Sequence, residues 1–168
     1  MITPAWVQTM ARYNAWQNQS LYGAANTLDD AARRLDRGAF FRSIHETLSH
    51  LVWGDTIWMA RFEGLEKPAG GITDSTSQHP DWAKLRAVRV DLDARIQAWA
   101  HGVTPDDLSG DASWYSGAVQ RQITLPNQIC VTHFFNHQTH HRGQVHAMLT
   151  AAGAKPGDTD LVFMPEPA

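Results

Sequence analysis

The segment VTHFFNHQTHHRGQVHAMLTAAG, from Val131 to Gly153, constrains this chain more than any other. Its apolar residues recur at helical spacing, with Pro126 before them and Gly153 after them as start and stop signals, so it predicts a long helix. At 100° per residue, Cys130, Phe134, Val145, Met148 and Ala152 share one face. His137 and His141 lie in the middle of that face, one turn apart, where a helical bundle normally places Leu or Ile. A lone imidazole on an apolar stripe is most often a core residue hydrogen-bonded to another helix. Two on one stripe would each need such a partner, at about 1–3 kcal/mol apiece where it is missing. Imidazoles at i and i+4 also project side by side and can chelate one ion, which is the better account of the pair.

Nine histidines occur in all, five of them between His133 and His146. His133 and His140 fall on the shoulders of the stripe and read as peripheral groups, and His146 as solvated. A third ligand must come from another helix, and SIHETLSHLVWGDTIW offers His45 and His50. His45 lies in a first helical turn; His50 lies deeper, level with Trp53 and at the edge of its stripe, which favours it modestly. Asp55 is either an outer acceptor or ligand at the same centre, or a buried acid satisfied by an arginine or an indole N–H. The zinc-protease reading of His-x-x-x-His fails because the residue after His137 is Gln138, which cannot accept a proton. A di-iron bundle fails because its Glu-x-x-His motif is absent. A one-metal site fits better.

The rest of the chain reads as three more helices. The first starts at Thr3-Pro4 and runs to about Ala32, with Trp6, Met10, Tyr13, Leu21 and Leu28 at helical spacing. The second opens on Ser43 and Glu46, the pattern of a capping box, and ends near Gly64, with Ile44, Leu48, Leu51, Trp58 and Phe62 as its stripe. The third spans about Asp81 to Ala100. Residues 65–80 are rich in Gly, Pro, Ser and Thr and predict a loop. In residues 103–125, Val119, Ile123 and Leu125 alternate with polar residues, which predicts a strand or small hairpin turning at Ser116-Gly117. The expected fold is all-α, an up-down four-helix bundle with a short β-hairpin before the last helix, in a single domain over residues 1–168.

Charge excludes some partners. Formal net charge is −3 and the Lys and Arg are scattered, so no nucleic-acid footprint is expected. Cys130 is the sole cysteine and cannot form an internal disulfide, in keeping with a reducing compartment. No run approaches the roughly 18 apolar residues of a membrane span, and the N-terminal residues do not resemble a secretory signal. The expected location is cytoplasmic.

HQTHHRGQVHAMLTAAG followed by DTDLVF resembles the C-terminal signature of the DinB-like (damage-inducible) family, which is distinct from the polymerase sharing its name. ARYNAWQNQSLY and RGAFFRSIHETLSHLVWGDTIWMARFEG are similar to its first two helices. The resemblance covers the chain except for the third helix and its loops, and His50 with His137-x-x-x-His141-Arg-Gly-Gln is far more specific than His-x-x-x-His alone. It implies one divalent transition metal, zinc or nickel, held by His50, His137 and His141, and a homodimer. His45 matches no ligand position. Proteins sharing this bundle include thiol-dependent S-transferases and a mycothiol-dependent maleylpyruvate isomerase. Three protein ligands leave a fourth position open, as at catalytic rather than structural zinc. The expected function is therefore a metal-dependent enzyme acting on a small molecule, with transfer of a low-molecular-weight thiol favoured over hydrolysis. A non-enzymatic metal-binding stress-response or interaction protein is the alternative.

Overall fold

A computed structural model describes residues 1–166 of the chain. Four long helices dominate: α1 (Pro4–Ala25), α3 (Ile44–Phe62), α4 (Trp82–Gly102) and α5 (Asn127–Ala151), with the short α2 (Asp30–Arg34) between the first two. Strands β1 (Asp111–Ser116) and β2 (Arg121–Pro126) form an antiparallel hairpin, with Trp114 opposite Ile123, before α5.

Local chemistry explains the boundaries. Thr3 accepts from the Trp6 amide at 3.2 Å, with Pro4 at the first helical position, where it needs no hydrogen bond. The expectation of one helix to Ala32 fails at Asn26. Asp29 accepts from the Ala32 amide at 2.7 Å and so starts α2 as a separate helix. At α3 the Ser43 hydroxyl accepts from the Glu46 amide at 3.2 Å and donates to the Glu46 carboxylate at 2.7 Å. The reciprocal arm of the expected box thus returns to the hydroxyl. Gly64 takes a φ of 65°, letting the Leu65 amide turn back to the Ala60 carbonyl at 2.8 Å and close the helix.

The helices α1 and α3 each pack against both α4 and α5. The last helix therefore sits between the first two long ones, with its histidine face on α3. Ile44, Leu48, Met59, Leu85, Ile96, Phe134 and Leu149 are fully buried in the shared core. Below them lies a polar layer. Asp55 of α3 accepts from Arg89 of α4 at 2.6 Å, and Arg89 also pairs with Asp93 at 2.9 Å. Asp93 accepts from Asn14 and Asn18 of α1, and Asn14 accepts from Arg142 of α5. One connected set of buried charges and amides thereby ties all four helices. The irregular tail is anchored along α1, where Gln17 and Tyr13 donate to the carbonyls of Asp158 and Thr159 at 2.8 and 2.6 Å.

Candidate metal centre

His50, one and a half turns into α3, faces His137 and His141 on α5. One ring nitrogen from each of the three lies within 4.8 Å of the other two. Nε2 of His50 is 3.1 Å from Nε2 of His137. Two lone pairs cannot share such a gap, so a proton or a cation must lie between them. Around a tetrahedral ion with Zn–N bonds of ~2.0–2.1 Å, ligand nitrogens stand about 3.3 Å apart. The spacing of the His50–His137 pair suits that geometry.

The outer nitrogens fix which nitrogen points inward. Ser75 donates its hydroxyl hydrogen to the Ile72 carbonyl at 2.7 Å, so its oxygen is left to accept from Nδ1–H of His50 at 2.9 Å. Gln144 accepts from Nδ1–H of His141 at 2.8 Å. With Nδ1 protonated in both, their Nε2 atoms present lone pairs to the centre, as metal-ligating histidines do. His137 leans over Gly54 of α3: a Cβ there would lie 3.0 Å from its Cε1. Only glycine leaves the ring its full room.

Electrostatics point the same way. His50 is 2% exposed, and burial, with the nearby His141, lowers its pKa to about 4. Burial together with His141 and His50 lowers His137 to about 3, and burial also lowers His141. All three imidazoles are neutral at pH 7, the form a metal requires. Phe41 stacks on His50 with centroids 3.9 Å apart and also approaches His141. It is presented by a tight turn in which Arg42 adopts a φ of 65° and its amide donates to the Ala39 carbonyl.

The other candidates separate cleanly. His45 is buried but donates Nε2–H to the His79 carbonyl at 2.7 Å, away from the trio. His133 and His140 are exposed beside His137 and His141, with ring centroids 5.8 and 4.9 Å away. His140 accepts from Gln144, the same side chain that accepts from His141. His146, expected in solvent, is half-buried and lines a small cavity with Tyr13 and Arg142. Asp55 is neither ligand nor partner to a ligand: it is the buried acid bound to an arginine. Cys130 is buried packing. Sequence reasoning missed Ser75, Gly54 and Phe41. Ser75 lies in the loop rich in small polar residues, where one serine looks like any other. Gly54 carried a usable signal, being a glycine inside a helical stripe.

A helical bundle in which two helices converge three imidazoles, with an empty carboxylate quota, defines a protein carrying the donor set of a one-metal site. The chain belongs to the DinB family, whose model matches residues 1–168. It is 25% identical over 157 residues to the protein DinB of Bacillus subtilis (strain 168), spanning 88% of this chain and 87% of that one. Its fold is also that of YfiT from Bacillus subtilis, described as a probable metal-dependent hydrolase with an unusual four-helix bundle topology. That likeness has a TM-score of 0.65 at 17% identity and covers 92% of each chain. Among the described residues no helix is long and apolar enough to cross a membrane.

Proposed function

We propose that this protein holds one divalent transition-metal ion through Nε2 of His50, His137 and His141 and is a metal-dependent enzyme that transfers a low-molecular-weight thiol. The observation that carries the metal reading is the convergence of three ring nitrogens within 4.8 Å of one another, two of the rings oriented by outer hydrogen bonds to Ser75 and Gln144. When bound, the ion supplies a positive centre that lowers the pKa of a thiol or water arriving beside it.

The protein's own groups favour a thiol. Water starts from a pKa of about 15.7 and a thiol from about 8.5, so a thiol needs less help from a base. No carboxylate belongs to the histidine group, and Asp55, the buried acid of the same helix, is engaged by Arg89. His133, exposed at one edge but partly desolvated, has its ring centroid 5.8 Å from that of His137 and a pKa lowered by that desolvation and then by Arg61, so it can accept the thiol's proton. Phe41 covers the His50 ring and keeps water from that side. Hydrolysis is the second reading, favoured by the description of YfiT.

Purified protein should carry about one first-row transition metal per chain, and His141→Ala should lose most of it while His45→Ala keeps it. Wild-type metal content in His141→Ala would end the three-histidine assignment. A panel of low-molecular-weight thiols with electrophiles, run beside ester and amide substrates, separates the reactions. Product from the second set alone, abolished by metal removal, would replace thiol transfer by hydrolysis. No product from either would favour a binding protein.

A further inference from the structure

Three turns beyond His50 on α3, a cavity of about 1030 Å³ opens between the C-terminal ends of α3 and α4 and the hairpin. That is the upper end of the size range of small-molecule sites. Its walls include Phe62, Trp99, Leu108, Trp114 and Val131, with Leu108 and Val131 each 3% exposed. Arg61 is the one cation of this lining, which also holds four carboxylates, Glu63, Asp106, Asp107 and Asp111. Its guanidinium lies 4.5 Å from the Trp58 ring centre and 4.8 Å from that of Trp114, in the angle of two indoles that meet at 72°. Among the described residues it makes no ion pair and no hydrogen bond. Burial lowers its pKa, opposed by Cys130.

From this geometry we propose that the cavity binds a small organic carboxylate with a flat apolar body, its anionic group on Arg61 and its body against the aromatic wall. The two indoles hold the guanidinium in place by cation–π contact, which uses none of its N–H donors and leaves them for a ligand. A planar fork of donors suits a carboxylate, which it can grip with two parallel hydrogen bonds. Stacked rings along the wall suit a flat apolar group better than a sugar or a peptide backbone. None of the four acids of the lining pairs with Arg61. Glu63 is engaged by Arg95, Asp107 accepts from the Thr104 amide and hydroxyl, and Asp106 and Asp111 are exposed to solvent. The bland account is that Arg61 merely staples the hairpin to α3. A staple would leave ligand affinity indifferent to ligand charge.

The test uses a matched pair, naphthoate and its neutral isostere naphthamide, titrated calorimetrically into the metal-loaded full-length protein. Wild type should bind naphthoate roughly tenfold or more tightly than naphthamide, the size of one charge-assisted contact. Arg61→Gln should abolish the preference while keeping naphthamide affinity, and Arg61→Lys should retain part of it. His137→Ala should keep the preference in full, because the anion sits on Arg61 and not on a metal ion. Equal affinity for the two probes in wild type, or no binding of either, would overturn the proposal. So would a preference that survives Arg61→Gln or disappears in His137→Ala. Should Arg61→Gln fail to fold, wild type and Arg61→Lys decide the matter by the same ratio.

Discussion

Ser75 stands 2.9 Å from the outer nitrogen of His50 and twenty-five residues away from it in sequence. It is fully buried, and its backbone carbonyl is held in turn by the Ser49 hydroxyl at 2.8 Å. Both ends of the residue are thus latched to α3, and His50 is aimed by a loop rather than by its own helix. Such outer partners typically contribute 10–100-fold to metal affinity. Ser75→Ala should weaken metal binding by about that factor with helical circular dichroism unchanged, and Ser75→Thr should recover most of it. Chelator competition measures both, and unchanged affinity in the alanine variant would show that His50 needs no orienting partner. Gly54 sets two effects against each other. Alanine is the better helix former by about 1 kcal/mol, but its Cβ would press on His137 and displace the ring by a few tenths of an ångström. Gly54→Ala should therefore raise or preserve the melting temperature of metal-free protein while weakening its metal affinity several-fold. If affinity and stability rise together, His137 has slack that a ligand would not have.

At the scale of elements, α3 and α5 were legible because their apolar stripes are regular and their ends are marked by Ser43, Gly64 and Gly153. The hairpin was legible from its alternation, although Val119 proves to sit in the turn and only Ile123 of β2 is half-buried. The histidine pair was legible because a polar residue in the middle of a stripe conflicts with the pattern around it. The buried face of α1 was not, since Asn14, Gln17 and Asn18 look like a solvated surface until their partners are seen on α4 and on the folded-back tail. For the same reason Asp55 stayed ambiguous: its partner Arg89 is 34 residues distant, and no local pattern links them. That pairing predicts an asymmetry. Arg89 touches both buried carboxylates, whereas Asp55 touches one cation. Removing Arg89 leaves two desolvated anions without their shared partner, so Arg89→Met should cost about 3–5 kcal/mol, the range for breaking a buried pair. Asp55→Asn should cost less, because Asp93 still neutralises Arg89. Denaturant unfolding of the two variants checks the order, and equal losses would mean that Arg142 shares the neutralising role.

Across the whole molecule, the core dictates how the centre responds to acid. From the sequence alone, metal affinity would fall as histidines titrate near pH 6.5. The fold moves that boundary. Burial and mutual repulsion hold His50 at about 4 and His137 at about 3, and burial draws His141 down as well. Because these folded values lie below the unfolded one, the unfolded chain binds more protons through that interval. The stability contributed by the neutral imidazoles is complete above about pH 6.5 and is lost as pH falls toward 4 and then 3. A metal competes only with protons already on its ligands. Metal affinity should therefore fall later and less steeply, as pH drops from 8 toward 5, than three free histidines would allow, with the steepest loss at lower pH, where His50 and His137 titrate. Asp55 opposes the shift at His141, but burial outweighs it. Dissociation constants from chelator competition at successive pH values would trace the curve. A midpoint near 6.5 would mean that water reaches these imidazoles freely, and that the bundle shelters its metal site far less than the burial of His50 requires.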